Sequence, residues 1–315
     1  MTKIIFMGTP DFAVPVLQKL IADPTITINA VVTQPDRKVG RKHVLTPTPV
    51  KRAAVEAGLL VLQPEKLRTS AELEQLNAME TDLLITAAYG QILPNSLLEA
   101  PRLGAINVHA SLLPKLRGGA PIHYALIEGH ERTGVTIMYM AEKLDAGAIL
   151  SQAALPITEE DNVGTLFEKL SVVGADLLEA TLPAILAGTI EVVEQVEAEV
   201  TFARNISREQ ERIDWTKSAR AIFNHVRGMN PFPSSFTTYE GKNWKLWEVV
   251  ESFETTTAAP GTIVSVDGTI RVAAGDGQTV DIVLFQPAGK QRMTTSDFLR
   301  GSGKDLEAGK CLGEV

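Results

Sequence analysis

The strongest constraint on this chain lies at its start, where two apolar runs flank a helical pattern with almost nothing between them. Residues 3–7 form the first run and stop at Gly8, residues 11–22 carry helical periodicity, and residues 26–33 are apolar again. Strand, helix and strand at this spacing pair the strands in parallel, because the crossover helix returns the chain to the sheet edge it left. That is the opening of a doubly wound α/β domain. Further strands are expected at 59–62, 82–87, 105–109 and 135–140, with helices at 49–57, 70–79 and 121–128. A longer helix over 163–187 stops at Gly188.

Past that glycine the texture changes. Residues 190–200 are acidic with alternating Val, and 207–214 are charged without a core pattern. A helix over 218–227 is then followed by short strands near 236–239, 244–251, 261–266, 269–272 and 279–285, punctuated by Gly-Lys, Asp-Gly and Gly-Asp-Gly turns. Five short strands in this space suggest a small barrel of the five-stranded OB type. With 315 residues, about twice a typical domain, the chain divides into residues 1–188, a linker over 189–208 and a second domain over 209–315. Trp244 and Trp247 are three apart, so a strand would turn them to opposite faces, one into the core.

Composition narrows the function classes. Thirty basic against 38 acidic side chains leave a net charge of −8, which argues against coating nucleic acid by charge alone, and no DNA partner is expected. The single Cys311 rules out an intramolecular disulfide and fits a reducing compartment; five irregularly spaced His give no metal-ligand signature. No stretch reaches the ~18 apolar residues of a membrane span, and the N-terminus has no signal-peptide pattern, so the expectation is a cytoplasmic protein without a membrane partner. Nothing calls for an obligate oligomer, and a monomer is expected.

The chemistry concentrates in Asn107-Val-His109-Ala-Ser111-Leu112-Leu113-Pro114. Strand alternation puts Asn107, His109 and Ser111 on one face, at the strand end where open α/β sheets bind ligands. Spacing alone leaves two readings of His109, a catalytic imidazole or one satisfied by a backbone partner. Asp145-Ala-Gly147 follows the 135–140 strand and by itself reads as a turn. Together the three form an Asn/His/Asp set: a carboxylate can fix the tautomer and raise the basicity of an imidazole, while an amide donates to a developing oxyanion. Gly8-Thr-Pro-Asp lacks G-x-G-x-x-G, so a dinucleotide site is poorly supported and a tight βα turn serves as well as a ligand contact.

Asn107-x-His109-x-Ser111-Leu-Leu-Pro114, then Arg117-Gly-Gly-Ala-Pro121 and Asp145-x-Gly147, resemble the folate-dependent formyltransferase family. The resemblance spans nearly the whole chain. It implies a Rossmann-like N-terminal domain and an OB-like C-terminal β-barrel that helps bind tRNA. It also implies 10-formyltetrahydrofolate as the donor, no metal, catalysis by Asn107, His109 and Asp145, and donor contacts from Ser111, Leu112, Leu113 and Pro114. The segments Ile5-Phe-Met-Gly-Thr-Pro-Asp-Phe-Ala13 and Thr33-Gln-Pro-Asp-Arg37 point to members whose acceptor is the amine of initiator methionyl-tRNA. Which of His109 and Asp145 takes the amine proton stays open at this level.

One further segment bears on the substrate. Residues 37–52 hold six basic residues and no acid, Arg37, Lys38, Arg41, Lys42, Lys51 and Arg52, on a connection long for a βα unit. A solvated loop explains such a run, and so does phosphate neutralisation; the resemblance fits Arg37, Lys38, Arg41 and Lys42 to the tRNA acceptor arm. Rival readings are formylation of a small amine or sugar nucleotide, hydrolysis of formyl-folate, and a non-catalytic tRNA-binding module.

Overall fold

The computed structural model describes residues 1–40 and 43–313, which form two compact units. The first comprises Met1–Pro121, Arg132–Pro156 and Phe167–Arg204; the second comprises Ile122–Glu131, Ile157–Leu166 and the chain from Asn205 onward.

The first unit contains β1 (Thr2–Gly8), α1 (Val14–Ala22), β2 (Ile26–Val32), β3 (Arg37–Val39), β4 (Val44–Thr46), α2 (Pro49–Glu56) and β5 (Val61–Leu62). It continues with α3 (Ala71–Ala78), β6 (Leu83–Ala87), α4 (Asn95–Glu99), β7 (Ala105–His109), β8 (Arg132–Tyr139) and β9 (Ile149–Pro156). Seven strands make one sheet in the order β5-β2-β1-β6-β7-β8-β9. The first five are parallel, and their centre is apolar on both faces: Ile4, Ile5, Phe6, Met7, Leu83, Leu84 and Ile85 are all buried, as a sheet covered on both sides requires. β8 runs antiparallel to β7, and β9 antiparallel to β8. The expected strand over 135–140 is therefore present in the reverse sense, and it carries a hairpin partner that the sequence reading lacked.

Local chemistry fixes the helix ends. Thr48 caps α2, its Oγ1 accepting from Lys51 N at 3.1 Å with Pro49 at the first helical position. Gly8 turns tightly into the next segment because a Cβ there would lie 2.8 Å from Ala13 Cβ and 2.9 Å from Ala87 O. The remaining helix in this region, after α5 (Pro121–Ile127), is α6 (Val163–Ala187), with Gly188 at φ +67 beyond its end. By length and composition α6 could cross a membrane, contrary to the sequence reading. In the fold it covers the sheet: Gly174 sits where a Cβ would meet Val108 and Val135, and Leu170, Ala175, Leu178, Leu182 and Ile185 are buried.

The second unit adds α7 (Ala219–Arg227), β10 (Ser235–Tyr239), β11 (Lys242–Thr255), β12 (Ile263–Ser265), β13 (Ile270–Ala273), β14 (Gln278–Gln286), β15 (Met293–Thr294) and α8 (Thr295–Arg300). Its antiparallel sheet runs β10-β11-β14-β13-β12, with β15 on β14. Register shifts along the 14-residue β11 bend the strand, giving the curled sheet of a small β-barrel domain. Trp244 packs in its core against Phe285 and Phe298, with ring centroids 5.1 and 5.4 Å away, whereas Trp247 is half-buried beneath the Arg292 guanidinium at 4.6 Å. Residues 228–233 make turns rather than the extended segment their prolines suggest.

Candidate active site

Asn107 and His109 occupy alternate positions of β7, and the opposite face of that strand packs Ile106 and Val108 against the interior. Asn107 lies in register with Thr86 on the parallel β6, and Thr86 Oγ1 donates to Asn107 Oδ1 at 2.7 Å. With its oxygen engaged, the amide presents its nitrogen as the donor.

His109 is buried at 6% exposure, and its Nε2 lies 3.2 Å from the carbonyl of Leu116. A carbonyl can only accept, so Nε2 carries the proton in neutral His109 and Nδ1 bears the lone pair. Nδ1 faces Asp145 Oδ2 across 3.8 Å, beyond hydrogen-bond reach. The tautomer is thus held by Leu116, where the sequence reading looked to the carboxylate. Asp145 Oδ2 accepts from Gly118 N at 2.8 Å. The site therefore sets two acceptors side by side, with a gap that an N–H donor can enter and satisfy.

The chain geometry behind this arrangement is specific. Because β8 pairs Tyr139 with Ile106, the β8–β9 connection begins toward the far end of β7, about 10 Å from His109 at ~3.3 Å per residue. Asp145 reaches His109 only because the connection doubles back along the sheet. Gly147 makes that path possible: a Cβ there would sit 1.8 Å from Tyr139 O. Gly118 takes φ +124, and a Cβ on it would be 2.4 Å from Ala203 O, so the Arg-Gly-Gly stretch needs glycine here to aim its N–H at Asp145.

The loop after β7 is stapled from β8 and β9. Thr136 Oγ1 donates to Ser111 O at 2.7 Å and accepts from Leu113 N at 3.1 Å, while Gln152 Nε2 donates to Leu113 O at 2.8 Å. Ser111 is buried with its hydroxyl donating to Lys115 O, and Leu113 is buried as well. Leu112 and Pro114 are the two of the four expected donor contacts that remain half-exposed. Among the described residues no group of three or more His, Cys, Asp or Glu side chains could hold a metal ion.

Within the basic segment β3 and β4 pair as a hairpin that leaves the sheet after β2, and hence from the edge where the parallel β7 ends in His109, while Lys51 and Arg52 lie in α2. Arg37 forks onto Glu65 at 2.9 and 3.3 Å, and Lys51 pairs with Asp36 at 2.7 Å. A bond from Gln63, reinforced by Lys51, holds the Asp36 carboxyl below its usual range. Lys38 is exposed beside Val39, Val44 and Leu45, all more than half exposed, so the hairpin projects into solvent. Arg41 and Lys42 lie outside the described residues. Sequence reasoning singled out Asn107, His109 and Asp145 but not Thr86, Leu116 and Gly118, which contact them through strand register and backbone atoms that no motif displays.

Comparison with known proteins completes the picture. A model described as formyl transferase matches residues 2–182, and one described as formyl transferase, C-terminal domain, matches residues 205–303. The methionyl-tRNA formyltransferase of Listeria innocua is 59% identical over 314 residues, covering 100% of both chains. That of Enterococcus faecalis is 59% identical over 307 residues, covering 97% of this chain and 98% of its own. An N-formyltransferase from Helicobacter canadensis, solved with folinic acid and dTDP-3-aminofucose, shares the fold at a TM-score of 0.69 and 17% identity, over 90% of this chain and 99% of its own.

Proposed function

Since the chain belongs to the formyl transferase family, we propose that it moves the formyl group of 10-formyltetrahydrofolate to the free amino group of initiator methionyl-tRNA. One observation carries the assignment: both family models fall in one chain whose end-to-end relatives, at 59% identity, are named for that reaction.

The transfer joins the methionyl nitrogen to the formyl carbon, breaks that carbon's bond to the folate nitrogen, and returns the proton lost by the amine to that departing nitrogen. It needs a donor for the formyl oxygen as charge builds there, and an acceptor for the proton of the attacking amine. Asn107 Nδ2 is the donor, its amide orientation set by Thr86. His109 Nδ1 and Asp145 Oδ2 receive N–H groups of the amine and hold it for attack. We assign the proton to His109 Nδ1, which has no hydrogen-bond partner among the described residues, whereas Asp145 Oδ2 already accepts from Gly118.

Residues 1–188 would carry this chemistry, with Leu112 and Pro114 touching the donor. Residues 209–315 and the cations Arg37, Lys38, Arg41 and Lys42 would contact the tRNA. The reading places a monomer in the cytoplasm, where charged tRNA enters translation. The test is transfer of labelled formyl from 10-formyltetrahydrofolate to charged initiator tRNA, run beside an amino-sugar nucleotide and a no-acceptor control. Formylated methionyl-tRNA as the fast product supports the assignment. Faster labelling of the sugar amine, or release of free formate alone, transfers it to one of the rivals.

A further inference from the structure

The segment that reads from sequence as a linker is bonded to the catalytic loops at both ends. Val193 and Ile149 exchange backbone hydrogen bonds of 2.8 and 2.9 Å. Further along, Arg117 N donates to Thr201 O at 2.9 Å, Ala203 N donates to Arg117 O at 2.7 Å, and Leu116 N donates to Thr201 Oγ1 at 2.9 Å. Leu116 is the residue whose carbonyl fixes the His109 tautomer. Between these anchors stands Gln195. Its Nε2 donates to the carbonyls of both Asp145 and Gly147, each at 2.8 Å, and its Oε1 accepts from Arg117 Nε at 3.0 Å. The amide orientation is unambiguous, since carbonyls can only accept and the guanidinium can only donate.

These bonds act on a turn that requires support. Asp145 sits at φ +47, a left-handed conformation that a residue with a Cβ keeps only when its surroundings over-determine it. Arg117 is itself 3% exposed and pairs with Glu197 at 3.1 Å, so the group that holds Gln195 is anchored in turn. We propose that Gln195 is a positioning residue for formyl transfer, clamping the Asp145–Gly147 turn so that Asp145 Oδ2 stays opposite His109 Nδ1. This rests on the reading of those two atoms as the acceptors of the amine.

Single-turnover formylation of charged initiator tRNA at saturating donor tests it, using Gln195→Met, Asp145→Asn and the double variant. Gln195→Met keeps the side-chain length and removes both functions of the amide. A displaced acceptor of this kind slows reaction by about 10- to 100-fold. The expected result is a fall of that size in kcat, with KM for charged tRNA within about threefold of parent. In the Asp145→Asn background Gln195→Met should cost less than about threefold further, because residues acting as one unit are not additive. Should Gln195→Met fail to fold, Gln195→Glu carries the same test, since it keeps the acceptor for Arg117 and loses the donor. Parental kcat, a loss confined to KM, or penalties that multiply in the double variant overturn the proposal while leaving the active-site assignment in place. A fully active Asp145→Asn enzyme instead overturns the assignment itself.

Discussion

An imidazole lone pair and a carboxylate oxygen 3.8 Å apart repel unless a proton or an N–H group comes between them, and in the proposed mechanism the amine relieves that tension. Removing the imidazole in His109→Ala should cost the 10²–10⁴-fold typical of general acid–base assistance, read as the single-turnover rate at saturating donor. A rate within a factor of a few of parent would reduce His109 to a packing residue. Thr86 offers a subtler test. Thr86→Val keeps the shape but leaves Asn107 Oδ1 without its donor, freeing the amide to turn; the rate should fall about tenfold, with Thr86→Ser restoring it, for a bond worth ~1 kcal/mol or more. Equal rates in all three enzymes would show that Asn107 needs no such support. Asn107 and His109 were legible because alternation along one strand needs only local sequence. Thr86, Leu116 and Gly118 were not: one acts through the β6–β7 register, the others through a carbonyl and an N–H, and every residue carries those groups.

Among the elements, the strands that build the parallel core announce themselves by apolar runs, and β1, β2, β6 and β7 stand within a residue or so of where periodicity puts them. Direction and pairing were harder to read. β8 is apolar enough for either sense, and β9, an edge strand carrying Ser151, Gln152 and two Ala, lacks the bulk that marks a strand in sequence. The hairpin that brings Asp145 to His109 was therefore invisible, although both residues had been singled out. The β3–β4 hairpin presents the converse case, since its charge is obvious and its form is not. Arg37 shares its charge with Glu65 in an exposed pair, and the proposed phosphate contact draws on Arg37, Lys38, Arg41 and Lys42 together. Arg41→Ala with Lys42→Ala should lower kcat/KM for charged tRNA and flatten its dependence on log salt by roughly one unit per lost phosphate contact. Donor affinity should hold, because the catalytic loops are untouched. An unchanged salt slope in that variant would make the hairpin a solvated surface feature.

For the molecule as a whole, the two units carry separate cores, and their sensitivity to acid should differ. The second unit contains two imidazoles that folding keeps neutral. His123 is 9% exposed with Nδ1 2.8 Å from Gly228 O, and burial pushes its pKa down despite that bond. His225 has its Nε2 buried without a partner among the described residues, and burial lowers its pKa too, outweighing a backbone bond to Glu211 and the charge of Asp214. For both, the unfolded chain takes up protons near pH 6.5 while the folded unit does not. The unfolded state then binds more protons, so stability is complete above about pH 6.5 and declines as pH falls toward the folded values. Each imidazole contributes at most about 1.4 kcal/mol per pH unit within that window. The carboxylates held low in the same unit, such as Asp214, titrate below it and do not blur the effect. Urea unfolding followed by the fluorescence of the tryptophans, all three of which lie in this unit, should therefore show a midpoint that drops between pH 7.5 and 5.5. His123→Gln with His225→Gln should lower stability at pH 7.5 through lost packing yet flatten the slope between the two pH values. The slope decides the matter: if the double variant loses as much stability as the parent over that interval, the acid response arises from groups other than these two histidines.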